Sequence, residues 1–485
     1  MKFDKYLFLV LFAGLLFSCS KDEIVNNPLT PPVEVYNYDA FLSLSVGNIE
    51  IDTKAISGPG DLSGLNTPDR IQKLCLAVFS EAGKLVAFKE AYSGANNSIN
   101  QVMDVSVVSG TVKILLIANY DGIPKDWYKE KPSDSDEYGI GKTSINDFLN
   151  NLPSTSLEKE INGYLTMSSG VLTFNLQAGY NFIGCAQAIG DVTVGGKKGV
   201  ELLGQTESGT KFVSKLKLYH NVARVQIGAI HLNPKPEYGD VTNGGYAQFV
   251  LDEVFVANVK SKSMICSEEP WGTVESPAEN SESFWWCGDY ADQEGALKKG
   301  NAVQRDYLKY SFIEYETLTN SYELYNRYPF AGNYNMAIAG KVDKSSEMTL
   351  DNPLKGEDQR SSVKHDAGGY IPIGMFFYVY ENNQKSKESE NQTLIILKGD
   401  YIYKKDKEDQ EEHTIKGCYY AVPVNNVESS TVDHTYIKRN YWYTLEFNIK
   451  GPGSKQPYGK DISANMSASV KVEDWNVINI DESVE

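Results

Sequence analysis

Six cysteines and five histidines are the side chains of this 485-residue sequence best suited to nucleophilic or metal chemistry. No two cysteines have C-x-x-C spacing and the histidines are scattered, so a zinc cluster is not predicted. His220 ends an apolar segment, and a lone histidine there is interpreted as structural. Cys266 and Cys287 flank a loop-like segment and are a candidate disulfide, with the unpaired state equally open. Cys75 and Cys185 lie in apolar contexts and are predicted to be buried as small hydrophobic residues.

Motifs of the common catalytic sites are missing from the sequence. It contains no G-x-S-x-G, H-E-x-x-H, Walker A or G-x-G-x-x-G motif. The proline in Gly451-Pro452-Gly453 and the lack of a basic partner argue against a phosphate-binding loop. No carboxylate pair has a recognisable spacing, although counting alone leaves a glycosidase pair open. We predict no enzymatic activity and no cofactor. A net charge of −18 argues against binding to nucleic acid.

Cys19 is predicted to carry a lipid. A basic start precedes the apolar run from Tyr6 to Phe17, which is too short for a stable membrane-spanning helix. The run ends in Leu16-Phe17-Ser18-Cys19, which resembles the lipobox of bacterial lipoproteins, cut before the cysteine and acylated (with palmitate, for example) on its thiol. The following Ser20-Lys21-Asp22-Glu23 resembles a surface-export signal of Bacteroidia-type lipoproteins, with a plain polar tether as the alternative. Residues 1–18 are therefore predicted to be a lipoprotein signal; an ordinary secretory signal is the alternative.

Strand patterns dominate the remainder. Apolar residues occupy every second position from Ala40 to Val46, which is the period of a half-buried strand. Lys142 to Leu152 is the clearest helical candidate. Many short strands without β-α-β alternation indicate an all-β protein built from β-sandwiches, and the 31 tyrosines suit half-buried sheets. Further strands are predicted at 74–79, 111–118, 171–176, 180–185, 217–227, 247–259, 372–380, 393–397, 419–424, 442–449 and 468–472.

Two segments are predicted to be additions to this framework. Residues 261–346 form a long polar, aromatic-rich insertion, and the charge run 404–412 indicates a solvated hairpin tip. Trp285 and Trp286 are candidates for a sugar-binding platform. The alternative, aromatic residues covering an edge of the insertion, is the simpler interpretation.

The C-terminal part of the sequence resembles the fimbrillins, the type V pilins of Bacteroidia-type bacteria. Tyr436-Ile437-Lys438-Arg439-Asn440 leads into the strand Tyr443–Ile449, followed by Gly451-Pro452-Gly453 and a late Val472-Glu473-Asp474-Trp475. This order of elements is similar to the fimbrillin ending. Other blocks agree in order and rough spacing, namely 112–119, 176–184, 216–225, 377–382 and 419–425.

The resemblance implies two transthyretin-like β-sandwich domains in tandem, preceded by a lipoprotein signal and a prosegment. The expected division is 1–18 signal, 19–54 lipidated tether with a removable strand, 55–212 N-terminal sandwich, 213–466 C-terminal sandwich and 467–485 C-terminal extension. In such pilins a trypsin-like protease cuts after the first strand. Here that strand would be Ala40 to Ile51 and the cut Lys54-Ala55, with Arg70 as the fallback.

The resemblance also implies polymerisation by donor-strand exchange, in which the extension of one subunit fills the groove left in another. Its candidate groove-filling residues are Val470, Val472, Val477, Ile478 and Ile480, and the alternative for this tail is a last internal strand with a frayed end. The expected partners are like subunits in a homo-polymer, accessory fimbrial subunits, the processing protease and, before maturation, the outer membrane through the lipid. The expected location is the surface fimbrium.

Three functional hypotheses follow. The first is a structural stalk subunit that serves adhesion. The second is a tip or accessory adhesin, or an anchor subunit, of the same fimbria, whose host or bacterial ligand the sequence does not name. The third, which the absence of a carboxylate motif disfavours, is a lipid-tethered surface protein that binds or hydrolyses glycans.

Overall fold

We describe the fold from a computed structural model. The structure describes residues 37–47, 70–94, 98–153, 157, 160, 164–186, 189–202, 215–257, 259–260, 263–268, 284–285, 309–311, 338–342, 349–351, 369–372, 376–382, 392–425, 437–455 and 465–474. Among them, no helix is long and apolar enough to cross a membrane. The predicted signal, Cys19 and the cut site at Lys54-Ala55 lie outside these ranges.

The first half of the chain builds two sheets that face each other. One has the strand order β4-β1-β8-β10-β9, and the other has the order β11-β6-β5-β2-β3 with β7 also paired to β5. The elements are β1 (Ala40–Ser45), β2 (Lys73–Ser80), β3 (Leu85–Tyr92), β4 (Gln101–Val107), β5 (Gly110–Ala118), α1 (Ile145–Asn151), β6 (Met167–Ser168), β7 (Leu172–Leu176), β8 (Gly179–Ile183), β9 (Gly190–Val194), β10 (Lys197–Glu201) and β11 (Tyr219–His220).

The second half builds two further sheets in the same manner. One has the order β19-β12-β23-β24 with β20 also paired to β12, and the other has the order β18-β17-β13-β21-β22 with β16 also paired to β13. A short β14-β15 pair stands apart. The strands are β12 (Val222–Leu232), β13 (Tyr246–Ala257), β14 (Val259–Lys260), β15 (Phe284–Trp285), β16 (Lys309–Ser311), β17 (Ile338–Val342), β18 (Thr349–Asp351), β19 (Gly369–Pro372), β20 (Phe376–Tyr380), β21 (Leu394–Lys404), β22 (His413–Pro423), β23 (Tyr441–Ile449) and β24 (Met466–Asp474).

Strand β2 explains why the first half has two layers of core. Its even-numbered apolar residues, such as Leu76, face the first sheet, while Cys75, Ala77 and Phe79 lie on the opposite side. A strand buried on both faces reads as a continuous apolar run, as β2 does. Helix α1 covers the second face: Phe148 packs edge-on against Phe79 with ring centroids 5.2 Å apart.

The predicted helix is confirmed in shortened form. Predicted from Lys142 to Leu152, it runs from Ile145 to Asn151, because Ser144 caps it. The Ser144 hydroxyl accepts from the Asp147 N–H and the Asp147 carboxylate accepts from the Ser144 N–H, a reciprocal capping box. The charge run that begins at Lys404 lies in the β21–β22 hairpin connection, as expected for a solvated tip.

Two predicted boundaries need correction. The segment predicted as one strand, 217–227, divides at Asn221, where the chain passes from the first pair of sheets to the second. Leu216 and Leu218 pack in the first core and β11 pairs with β6, so residues 215–220 lie with the first half and not with the second. Parts of the predicted insertion 261–346 belong to the framework, because residues 309–311 and 338–342 pair with β13.

Candidate functional site: the slot of the first strand

Strand β1 lies inside its sheet and not at an edge. It pairs antiparallel with β4, where Ala40 lies opposite Val107, and parallel with β8, where Ala40 lies opposite Gly179. Residues 40–46 fill the space between β4 and β8. We call this space the first-strand slot. Because both neighbours bond to β1, its loss would leave two unpaired strand edges.

The inner face of β1 completes the first core. Ala40, Leu42, Leu44 and Val46 are each at most 1% exposed and pack between the two sheets. Burial of each larger apolar side chain contributes about 1.5–3 kcal/mol. The slot is therefore an apolar groove whenever β1 is absent.

The outer face of β1 carries an aromatic stack and an ion pair that crosses it. The ring of Phe41 stacks on Tyr180 with centroids 4.9 Å apart. Lys197 Nζ lies 5.2 Å from the Tyr180 ring centroid and 2.5 Å from Asp104 Oδ2. Since β1 and β8 lie between β4 and β10, this ion pair spans both strands. Its side chains are 36% and 42% exposed, so it adds at most about 1 kcal/mol.

A bulge in β4 turns one backbone N–H group toward the slot, and the strand in the slot supplies the hydrogen-bond acceptor for it. Leu42 lies opposite Val105 and Leu44 opposite Val102, so β4 has one residue more than β1 between these pairs. The bulged residue Asp104 has φ 57°, in the left-handed region. Its N–H points at the slot and donates to the hydroxyl of Ser43 at 3.0 Å.

Hydrogen bonds hold the residues at both ends of β1 in place. The Asp39 carboxylate accepts from the N–H and the hydroxyl of Ser109, each at 2.7 Å, and these hydrogen bonds lower the pKa of Asp39. At the other end the Val46 N–H donates to Asn100 O at 2.8 Å, and Gly47 bonds to Leu216.

The fallback cut site is poorly disposed for proteolysis. Arg70 is half-buried three residues before β2, and its carbonyl accepts from Asn119 Nδ2 at 2.9 Å. Cleavage favours exposed backbone without such bonds. Lys54-Ala55 therefore stays the preferred prediction, outside the described residues.

Part of the predicted donor segment lies in a sheet of its own chain in this structure. Val470 and Val472 lie in β24, which pairs antiparallel with β23 of the same chain from Tyr441–Asp474 to Ile449–Met466. Val472 is 6% exposed and faces the second core. Residues 466–474 are thus an internal edge strand here, because their alternation suits their own sheet. Val477, Ile478 and Ile480 lie outside the described residues and stay predictions.

The structure describes one cysteine of the candidate disulfide. Cys266 is a free thiol, fully buried in the core that contains Cys75 and Phe148. Burial raises the pKa of Cys266 to about 12. Cys287 lies outside the described residues. Cys75 is a buried free thiol, as predicted, while Cys185 is only half-buried.

Arg439 of the fimbrillin-like ending has a role that the sequence did not indicate. Its guanidinium is 1% exposed and pairs in bidentate fashion with Glu381, at 2.6 Å for Nη2–Oε1 and 3.0 Å for Nε–Oε2. It also donates to Asn221 Oδ1 at 3.1 Å and to the carbonyls of Met264 and Ile265 at 2.7 and 3.3 Å. Ile265 packs in the core of α1, so this network ties the second half to the first.

His220 is satisfied within the protein, as its structural interpretation expected. It is fully buried, and its backbone N–H donates to Asn440 Oδ1 at 3.0 Å. Neither this contact nor the Asp104–Ser43 bond has a local sequence signal, since each joins segments that are distant along the chain.

Comparison with known proteins finds similarity to a fimbrial family over part of the chain. Residues 40–217 match the family described as major fimbrial subunit protein (FimA). This part of the chain is similar to that fimbrial family, which confirms the predicted resemblance to fimbrillins. The match begins at the first residue of β1.

Individual relatives agree. The chain is 28% identical over 265 residues to Fim1C of Parabacteroides distasonis, named as a candidate fimbrium tip subunit; the match covers 54% of this chain and 58% of the relative. The crystal structure of a candidate cell adhesion protein from P. distasonis ATCC 8503 is 25% identical, with a TM-score of 0.60 over 90% of this chain and 100% of that chain. A fimbrilin (FimA) from Porphyromonas gingivalis W83 shares the fold, at 15% identity and TM-score 0.51 over 91% and 99% of the two chains.

Proposed function

We propose that this chain is the precursor of a fimbrial subunit that polymerises by strand exchange through the first-strand slot. The observation that carries the proposal is the central position of β1, whose removal leaves a groove with an apolar floor and two hydrogen-bonding walls. An extended segment from a neighbour would restore both sets of bonds, a form of β-augmentation. Each subunit would accept one strand and donate another, and such a heterologous, unclosed contact generates a filament.

The remaining steps follow the fimbrillin resemblance. Lipidation at Cys19 would tether the precursor to the outer membrane, and cleavage after Lys54 would release residues 19–54 with β1. The two pairs of sheets would act as two transthyretin-like sandwiches in tandem. Val477 to Ile480 would supply the donor strand to the next copy or to an accessory subunit.

Deletion of Val477–Glu485 tests the exchange. The sheets that the structure describes do not include these residues, so the shortened precursor should be exported and as protease-resistant as the wild type. Its high-molecular-weight ladder on unboiled gels should be lost. A matched pair sharpens the result: Ile478→Asp with Ile480→Asp should abolish the ladder because charge enters an apolar groove, whereas Ile478→Val with Ile480→Val should retain it. Unchanged ladders in the deletion would contradict the proposal.

N-terminal sequencing of fibre-incorporated protein tests maturation. The sequence should begin at Ala55, and Lys54→Gln should leave unprocessed precursor outside the fibre. A start at Cys19 in fibres would instead indicate an uncleaved anchor subunit.

The similarity to Fim1C favours a second candidate, a tip subunit. Antibody labelling distinguishes a stalk subunit from a tip subunit. Antibodies to the chain should bind along the length of the fibres if it forms the stalk, and only at their ends if it forms the tip.

A further inference from the structure

We propose that the first-strand slot selects its strand by a pattern of three residues: a residue with a hydrogen-bond acceptor, flanked on each side by an apolar residue. Ile478-Asn479-Ile480 of a second copy of this chain supplies that pattern. The inference rests on the strand exchange proposed above and adds its register and its selectivity. The resident strand shows the pattern as Leu42-Ser43-Leu44.

The bulge in β4 creates the requirement. A flat β4 would direct the backbone N–H groups to backbone carbonyls of the inserted strand. Asp104, with φ 57°, instead turns its N–H toward a side chain, and the Ser43 hydroxyl accepts it at 3.0 Å. Ser43 is fully buried, so an apolar side chain in its place would offer the Asp104 N–H no acceptor from the inserted strand.

The apolar neighbours fix the position of the acceptor. Leu42 and Leu44 are fully buried in the first core, on the face opposite Ser43. Any replacement strand must therefore place two apolar residues one position either side of the acceptor, since side chains alternate between faces.

The side chain between the two apolar residues distinguishes the two candidate donor segments. Asn479 offers an amide oxygen between Ile478 and Ile480. In the other segment, Val470 and Val472 flank Lys471, whose ammonium group donates and cannot accept. That segment is also engaged with β23. Residues 475–485 are enough to cross a slot filled by residues 40–46.

Because Ser43 is fully buried, the longer amide of Asn479 would displace side chains on the outer side of the slot. Asp104 and Lys197 are the charged groups beside this position, and their side chains are 42% and 36% exposed. They can move toward solvent without disturbing the core. The apolar pockets beneath accept isoleucine in place of leucine at little cost.

A matched pair in the full-length precursor tests the acceptor without polymerisation. Ser43→Thr keeps the hydroxyl and Ser43→Val replaces it with a methyl group of nearly the same shape. We expect the folding equilibrium of Ser43→Val, measured by urea unfolding, to be about tenfold less favourable than that of Ser43→Thr. Equal stability of the two variants would overturn the requirement for an acceptor.

The same pair at Asn479 tests the donor. Fibres should form with Asn479→Thr, and Asn479→Val should reduce the polymerised fraction or the resistance of the ladder to heating in detergent. Equal assembly of the two variants would overturn the assignment of Asn479, while the deletion of Val477–Glu485 decides separately whether the tail is the donor at all.

A crosslink then tests the register. Leu44 lies opposite Val102, so Ile480→Cys should form an intersubunit disulfide in fibres with Val102→Cys and not with Val107→Cys, the partner of Ala40. Crosslinking with Val107→Cys alone would overturn the proposed register.

Discussion

The first and last strands of the described chain, β1 and β24, have opposite positions in their sheets. β1 has a neighbour on each side and a fully buried inner face, whereas β24 pairs with one strand of the described residues, β23, and is only half-buried. Removal of an edge strand shortens a sheet, but removal of a central strand opens a groove inside it. Under the proposed strand exchange, the first-strand slot would accept a strand, and residues after β24 would supply the strand to another copy.

The prediction with the largest expected effect tests whether the stability of β24 depends on the Arg439 network, which joins the two halves of the chain. β23, the sole described neighbour of β24, begins directly after the Arg439 network. Arg439→Met should destabilise the chain by about 3–5 kcal/mol, because it leaves the Glu381 carboxylate buried without its cation. Hydrogen exchange should show loss of protection in β23 and β24, with β1 protected as before.

A double variant separates charge from packing. Arg439→Met with Glu381→Leu should recover most of the lost stability, since no uncompensated charge remains. If β1 loses protection as early as β24, the two ends of the molecule are not anchored independently and the comparison fails.

An intermediate effect compares the terminal strands directly. Leu44→Ala should cost about 3 kcal/mol, as for other large-to-small changes at fully buried sites, because the cavity lies between two sheets. Val470→Ala on the edge strand should cost about 1 kcal/mol, since its side chain is already partly in water. Urea unfolding of the two precursors measures both, and equal costs would contradict the central-versus-edge distinction.

The elements that the sequence predicted well are those whose determinants are local. The helical pattern of α1 and the continuous apolar run of β2 depend on neighbouring residues, so both were recognisable, although the helix start at Ser144 was not. β4 was not predicted, because its bulge separates Val102 from Val105 by three positions and breaks the period of two. The passage between sheets at Asn221 was missed for a different reason: which sheet a strand joins is decided by partners distant along the chain.

The candidate site shows the same limit. The alternation of residues 40–46 predicted a strand, and its apolar face is confirmed. Its central position, and the donation from Asp104 to Ser43, depend on β4 and β8 being brought to either side. Likewise the alternation around Val470 fits an own-sheet strand as well as a donated one, so pattern alone could not distinguish them.

The prediction with the smallest expected effect compares the bulge in β4, in the first half of the chain, with the bulge in β13, in the second half. Asp252 is the extra residue where β13 pairs with β21, as Asp104 is in β4. Burial, followed by the nearby Asp400, raises the pKa of Asp252 to about 6 from an ordinary 3.8. Asp104 instead has Lys197 as an ion-pair partner.

The raised pKa predicts the sign of a pH dependence. Protonated Asp252 suits the folded state, so its contribution is fully present below pH 3.8 and is lost as the pH rises through about 6. Asp252→Asn should therefore stabilise the chain at pH 7.5, by about 1 kcal/mol after allowance for partial exposure, and hardly at all at pH 3.5. Urea unfolding at the two pH values measures this, with Asp104→Asn as the control: it removes an ion pair and should stabilise the chain at neither. An equal gain from Asp252→Asn at both pH values would show that packing, and not charge, separates the two bulges.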